Sequence, residues 1–164
     1  MKLLHLADLH IGKRVHEYSM LEEQKEVLNQ AISMAIEQKV DVVLIAGDVY
    51  DKSIPTIEGV KLLDSFLTAL SKENIPVLFI SGNHDCAERL SFGSELLETA
   101  GIYVAGASKE QIVTITFSDS YGEVNFYLLP FIKPQQVELE EGEESPKDYT
   151  EAIKILLHRL SIDN

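Results

Sequence analysis

A single cysteine, Cys86, stands in the whole chain, so no internal disulfide can form and a reducing compartment is expected. Long apolar runs are missing as well: none approaches the roughly eighteen residues of a membrane span, and no membrane association is expected. The opening residues reach a carboxylate, Asp8, too early for a signal peptide, which makes the cytoplasm the expected location. The chain holds no GxSxG, no Walker-type phosphate loop, no CxxC and no internal repeat. Basic residues are scarce: Lys and Arg number 14 against 27 Asp and Glu, a formal charge of −13 that is unhelpful for gripping nucleic-acid phosphates. The deficit runs throughout, with 19 acidic and 11 basic side chains in residues 1–134 and 8 and 3 in residues 135–164. Four of the carboxylates, Asp8, Asp48, Asp51 and Asp85, gather at a candidate active site where divalent cations would offset them. The others read as a solvated acidic surface.

What is present is core material. Hydrophobic residues make up 45% of 164, enough for one domain of ordinary size. Residues 2–7, 41–46 and 76–81 are short continuous runs rich in Val, Ile and Leu, the pattern of parallel strands buried on both faces. Between them the spacing predicts helices. The first starts from Ser19 and Glu22 in capping-box spacing, lines Leu21, Leu28, Ala31, Ile32, Ala35 and Ile36 on one side, and ends near Lys39. The second covers about 56–72, and the third about 91–100 with Gly101 as its C-terminal cap. Alternating strands and helices predict right-handed crossovers in a layered α/β domain. Residues 112–117 and 124–129 flank a turn at 118–122 and predict an antiparallel hairpin. An exposed acidic loop at about 133–148 follows, then a last helix capped by Asp148.

The chemistry sits where the three parallel strands end. The first delivers Asp8-Leu9-His10, the second Gly47-Asp48-Val49-Tyr50-Asp51 and the third Gly82-Asn83-His84-Asp85. Open α/β sheets bind ligands beyond the carboxyl ends of their strands, so these loops should converge on one crevice. Carboxylates, an amide oxygen and imidazoles suit Mn²⁺, Fe²⁺ or Zn²⁺, and the lack of thiolates argues against structural zinc. Asp48, on the central loop, has two oxygens and could bridge two cations about 3.5–4 Å apart, as a phosphoryl displacement requires. Each motif alone is commonplace; three in order, each one βα unit from the next, are not. His5, inside the first strand, reads as a packed core residue, His16 and His158 as surface residues, and Cys86 as a small buried hydrophobe.

The set DxH, GDxxD and GNHD, with the longer strings around residues 5–12, 46–51 and 80–90, resembles the calcineurin-like metallophosphoesterase superfamily and, within it, the SbcD-type DNA nuclease subunits. The resemblance covers essentially the whole chain. Lys52-Ser53 stands where the phosphoprotein phosphatase branch would continue with Arg-Gly, and Cys86-Ala87 stands where Ser-Pro would follow the third motif. The resemblance implies an α-β-β-α sandwich and Mn²⁺-dependent hydrolysis of DNA, with Mg²⁺ or another divalent ion as a possible substitute, in complex with the SMC-like ATPase SbcC. It implies that Asp8 and His10 hold a first metal, Asp48 bridges, Asn83 binds a second, and His84 is the catalytic acid over the phosphate and no ligand. It implies, too, a homodimer through the helices at about 56–72 and 91–100.

The same pattern asks for one further His and a later GHxH pair, and after His84 the only histidine is His158. Residues 1–164 are therefore expected to be the amino-terminal part of one nuclease domain, an incomplete sandwich with only a hairpin of its second sheet, and nearly inactive alone. Two other readings compete: a phosphatase or cyclic-nucleotide phosphodiesterase on the same scaffold, and a non-catalytic module that holds a partner.

Overall fold

In the computed structural model, which describes residues 1–106, 112–139, 142 and 144–160, the chain runs β1 (Leu3–Leu6), β2 (Arg14–Val15), β3 (Tyr18–Ser19), α1 (Leu21–Glu37), β4 (Val42–Ala46), α2 (Ile57–Lys72), β5 (Val77–Ile80), α3 (Ala87–Leu90), α4 (Ser94–Glu98), β6 (Ile102–Ala105), β7 (Val113–Asp119), β8 (Gly122–Leu128) and α5 (Tyr149–His158). Four strands form a parallel sheet in the order β1-β4-β5-β6. Period-two alternation sorts their side chains into layers. Val43, Ile45, Val77 and Phe79 join Leu28 and Ala35 of α1 and Leu63, Phe66 and Leu70 of α2 in the main core. Val42, Leu78 and Ala105 take the opposite face and pack with Val113, Ile115, Phe117, Phe126 and Leu128 of the β7–β8 hairpin. α5 adds Ala152 and Leu156 to a third cluster with Ile132 and Val137. Helices, parallel sheet and hairpin thus stack in the order expected of the sandwich, the second sheet being represented by two strands among the described residues.

Several elements form for the reasons the sequence suggests. Thr56 caps α2 by accepting the Gly59 N–H at 3.1 Å, and Asp148 caps α5 by accepting the Glu151 N–H at 2.9 Å. Gly101 closes α4 in a left-handed conformation, φ 76°.

Others depart from expectation. Ser19 belongs to β3, and from that extended backbone its hydroxyl reaches only the Leu21 N–H, at 3.4 Å, so no capping box forms and Met20 is the N-cap. The expected helix at 91–100 is two short ones, because Gly93 turns left-handed (φ 72°) between α3 and α4. β6 is an addition to the expected strands: Ile102–Ala105 is only four residues long, directly behind a helix cap, and pairing with β5 is what makes it a strand. β1 is not buried on both faces. It lies at the sheet edge, beyond the reach of the hairpin, so Leu3 and His5 are exposed, and His5 lines an open cleft of about 220 Å³ with Leu44, Ile80 and Phe126 in place of the expected core packing. Cys86 is half-buried, its thiol facing Glu88 at 3.4 Å. In the expected acidic loop, Ile132, Pro134 and Val137 are buried, while Gly142 and Glu144 are exposed and Glu140, Glu141 and Glu143 lie outside the described residues.

Candidate metal centre

The three motif loops meet because pairing continues past the strand ends. The Asp8 N–H donates to the Gly47 carbonyl at 3.2 Å, His10 N–H to Asp48 at 2.9 Å and Ile11 N–H to Val49 at 2.9 Å, and the Asp51 N–H returns to the Ile11 carbonyl at 3.2 Å. Keeping this register while turning the side chains into the crevice takes left-handed backbone at three non-glycine residues, Asp8 (φ 54°), His10 (φ 43°) and Asp48 (φ 49°). Such conformations cost on the order of 1–2 kcal/mol each and persist only where surroundings hold them. Gly47 (φ 83°) adopts the same region freely. Gly82 is required for another reason: a β-carbon there would collide with the backbone nitrogen and carboxylate of Asp48.

The third loop is fastened to the second by Asp85. Its carboxylate accepts from the Val49 N–H at 3.0 Å, the Tyr50 N–H at 2.9 Å and its own loop's Gly82 N–H at 2.8 Å. Asp85 thus does not face the crevice as a ligand, although the sequence groups it with the other site carboxylates. The His84 N–H donates to Asp48 Oδ1 at 2.9 Å, which fixes one oxygen of the central carboxylate.

Around the crevice, His10 Nε2 lies 3.8 Å from Asp8 Oδ1 and 4.0 Å from Asp48 Oδ2, and His10 Nδ1 lies 3.7 Å from Asp51 Oδ1. The His84 ring stands edge-on to His10 with centroids 4.8 Å apart. Candidate ligand atoms of His10, Asp48 and His84 all fall within 4.8 Å of one another. Asp8 is 71% exposed and His10 only 18%, while Asn83 and His84 are exposed on the third loop. Spacings just short of 4 Å are too long for hydrogen bonds, and His10 Nδ1 is buried without one. They suit donors around a shared cation, since ligand bonds of about 2.0–2.2 Å place such donors roughly 3–4 Å apart. The donor set therefore fits a divalent ion.

His84 Nδ1 lies 3.0 Å from the Asp51 carbonyl. That contact, helped by the charges of Asp48, Asp51 and Asp85 and opposed by desolvation, raises the His84 pKa above the usual 6.5. Burial, with Asp85 and Asp64 beside it, pushes the Tyr50 phenol up to about 12 and keeps it neutral. Asp51 gains a double part, carbonyl to His84 and carboxylate beside His10, that its position in GDxxD leaves open.

A family model described as calcineurin-like phosphoesterase matches residues 1–159. The chain belongs to that family. The phosphoesterase is 35% identical over 167 residues to a protein of Staphylococcus epidermidis named as the SbcD component of the nuclease SbcCD, an alignment that covers 100% of this chain and 44% of the relative. A protein of the same name from Staphylococcus saprophyticus is 38% identical over 133 residues, 80% of this chain and 34% of the relative. The phosphoesterase thus spans less than half the length of these two relatives. Membership implies binding of divalent metal, and the His and Asp cluster at the strand ends is the candidate place for it. None of the described helices is long and apolar enough to cross a membrane.

Proposed function

We propose that this chain supplies the first ligands and the acid of a two-cation centre that hydrolyses phosphodiester bonds in DNA. The observation that carries the reading is the convergence of Asp8, His10, Asp48 and His84 around one crevice at the carboxyl ends of parallel strands. Asp8 and His10 hold the first cation, Asp48 is shared, and Asn83 serves the second through its side-chain oxygen. Bound cations, Mn²⁺ being the proposed species, supply Lewis-acid activation of water and neutralise charge on the phosphate.

The chain's own residues do the rest. Asp51 accepts the Nδ1 proton of His84, which leaves Nε2 as the nitrogen that faces the substrate and gives a proton to the departing oxygen. The raised pKa keeps that proton available near neutral pH. Asp8 and His84 are exposed, so a polymer can reach the centre without a lid. The names of the relatives support DNA as substrate and an assembly with SbcC. Self-association through α2, α3 and α4 belongs to the same proposal. Leu63, Phe66, Leu67 and Leu70 of α2 are absorbed by the core, but Ile57 (70% exposed), Val60, Phe92 (86% exposed) and Leu96 remain as apolar surface on this side.

The test separates ligand from acid. In the full-length protein, Asp48→Ala should lose both Mn²⁺ binding and cleavage, whereas His84→Ala should keep metal and DNA and lose cleavage, because its task lies in the transition state. Loss of a metal on His84→Ala in calorimetry would overturn the assignment of roles.

A further inference from the structure

The first ligand loop is held from behind by a residue of α1. Gln24 projects from the first turns of that helix, and its amide nitrogen donates to the Leu9 carbonyl at 3.0 Å and the His10 carbonyl at 2.7 Å. Its amide oxygen accepts the Gly12 N–H at 2.9 Å. One side chain thus meets three main-chain groups of the segment that carries Asp8 and His10. The left-handed turns at Asp8 (φ 54°) and His10 (φ 43°) accompany this arrangement, with the loop's carbonyls toward α1 and its candidate ligands toward the crevice. Two adjacent carbonyls in a half-buried place need donors, and the N–H beyond them needs an acceptor. A primary amide meets all three needs at once, whereas a carboxylate offers no donor and an alkyl chain offers nothing. Gln24 itself is fixed by α1, whose Leu21, Leu28 and Ala35 sit in the main core.

We propose that Gln24 is a positioning residue for the metal centre: its three hydrogen bonds hold the Asp8-Leu9-His10 loop in the left-handed form that aims His10 Nε2 at the cation shared with Asp8 and Asp48. This rests on the metal reading above. It assigns Gln24 no contact with substrate or cation. Groups that orient metal ligands from behind typically change metal affinity about 10–100-fold when removed.

The experiment measures free Mn²⁺ by electron paramagnetic resonance during titration of the complete protein and three variants, at a temperature where circular dichroism shows each to be folded. Gln24→Met removes all three hydrogen bonds at similar volume. Gln24→Glu keeps an acceptor for Gly12 and removes both donors. Gln30→Met, at an exposed site on the same helix where Gln30 bonds only Glu26 at 3.0 Å among the contacts seen, is the control. The expected result is a ten-fold or greater loss of Mn²⁺ affinity in both Gln24 variants, faster amide exchange at Gly12 in Gln24→Met, and no change in the control. Wild-type affinity in both folded Gln24 variants would overturn the proposal while leaving the metal centre intact. Failure of the unmodified protein to bind Mn²⁺ would remove the metal reading and this inference with it, and the two failures are told apart by the unmodified titration alone.

Discussion

Replacing Asp85 should loosen the junction between the second and third ligand loops, and the structure sets the scale. Its carboxylate takes three backbone N–H groups, two on Oδ2 (Val49 and Gly82) and one on Oδ1 (Tyr50), at 2.8–3.0 Å. Hydrogen bonds to a charged partner contribute about 1.5–3 kcal/mol each. The residue is half-buried, so water can reach part of the site after truncation, and the low end of that range applies: about 4 kcal/mol for Asp85→Ala. For a chain of this size each kcal/mol moves the melting temperature by roughly 2–4 °C, so a fall of about 8–16 °C is expected. Asp85→Asn should lose less, about 2 kcal/mol, because its one carbonyl oxygen can still serve the Val49 and Gly82 N–H groups while its NH₂ faces the Tyr50 donor. Melting followed by far-ultraviolet circular dichroism checks both values. A melting temperature for Asp85→Ala within about 2 °C of the parent would refute the view that this side chain ties the loops together.

Three further outcomes follow from the same geometry. Because the His84 pKa is raised above 6.5, its protonated form persists to higher pH than usual, and DNA cleavage by the full-length protein should decline as pH rises through that raised value; a rate that keeps climbing there would show that His84 is not the acid. The Met1 ammonium pairs with Asp119 at 2.5 Å across to the hairpin, with the amine pKa raised above 8.0 and the Asp119 pKa lowered below 3.8, so this pairing is complete between those values and is lost on either side. Asp119→Asn should accordingly flatten the pH dependence of amide exchange in β7 and β8, and an unchanged profile would count against the pairing. A charge at the exposed apolar sites, as in Val60→Glu or Phe92→Glu, should convert a dimer of the full-length protein to monomers in sedimentation, and several such variants with an unaltered coefficient would dispose of the α2 to α4 interface.

The parts of this molecule legible in its sequence are those where one residue type has one physical use. Gly47 and Asp48 directly behind a Val-Val-Leu-Ile-Ala strand announce a sharp loop with a carboxylate, and Thr56 and Asp148 announce helix starts because their oxygens meet N–H groups three residues on. The parallel order of β1, β4 and β5 follows from strands separated by single helices. What could not be read depends on neighbours far away in the chain. His5 looks like core until the hairpin is seen to stop short of β1. Gly93 is indistinguishable from a tolerated helix glycine until its φ is known, and Ile102–Ala105 is too short to be a strand without β5 beside it. Asp85 and Gln24 are the most instructive. A carboxylate in a GNHD string invites a ligand's role, and a glutamine in an amphipathic helix invites none, yet both serve as clamps on main-chain groups, a use visible only when donors and acceptors are placed in space.

The central claim, that these three loops belong to a divalent-metal centre cutting DNA, is tested most directly by titrating Mn²⁺ into the full-length protein on duplex and single-stranded DNA, with this 164-residue chain at equal concentration alongside. The account predicts cleavage by the full-length protein that rises with Mn²⁺, disappears on chelation and is absent in Asp48→Ala. It predicts next to none from the 164-residue chain, whose Asp8, His10, Asp48 and Asn83 leave most of the roughly six donor positions of each Mn²⁺ to water. Cleavage indifferent to metal, or undiminished in Asp48→Ala, would contradict the account.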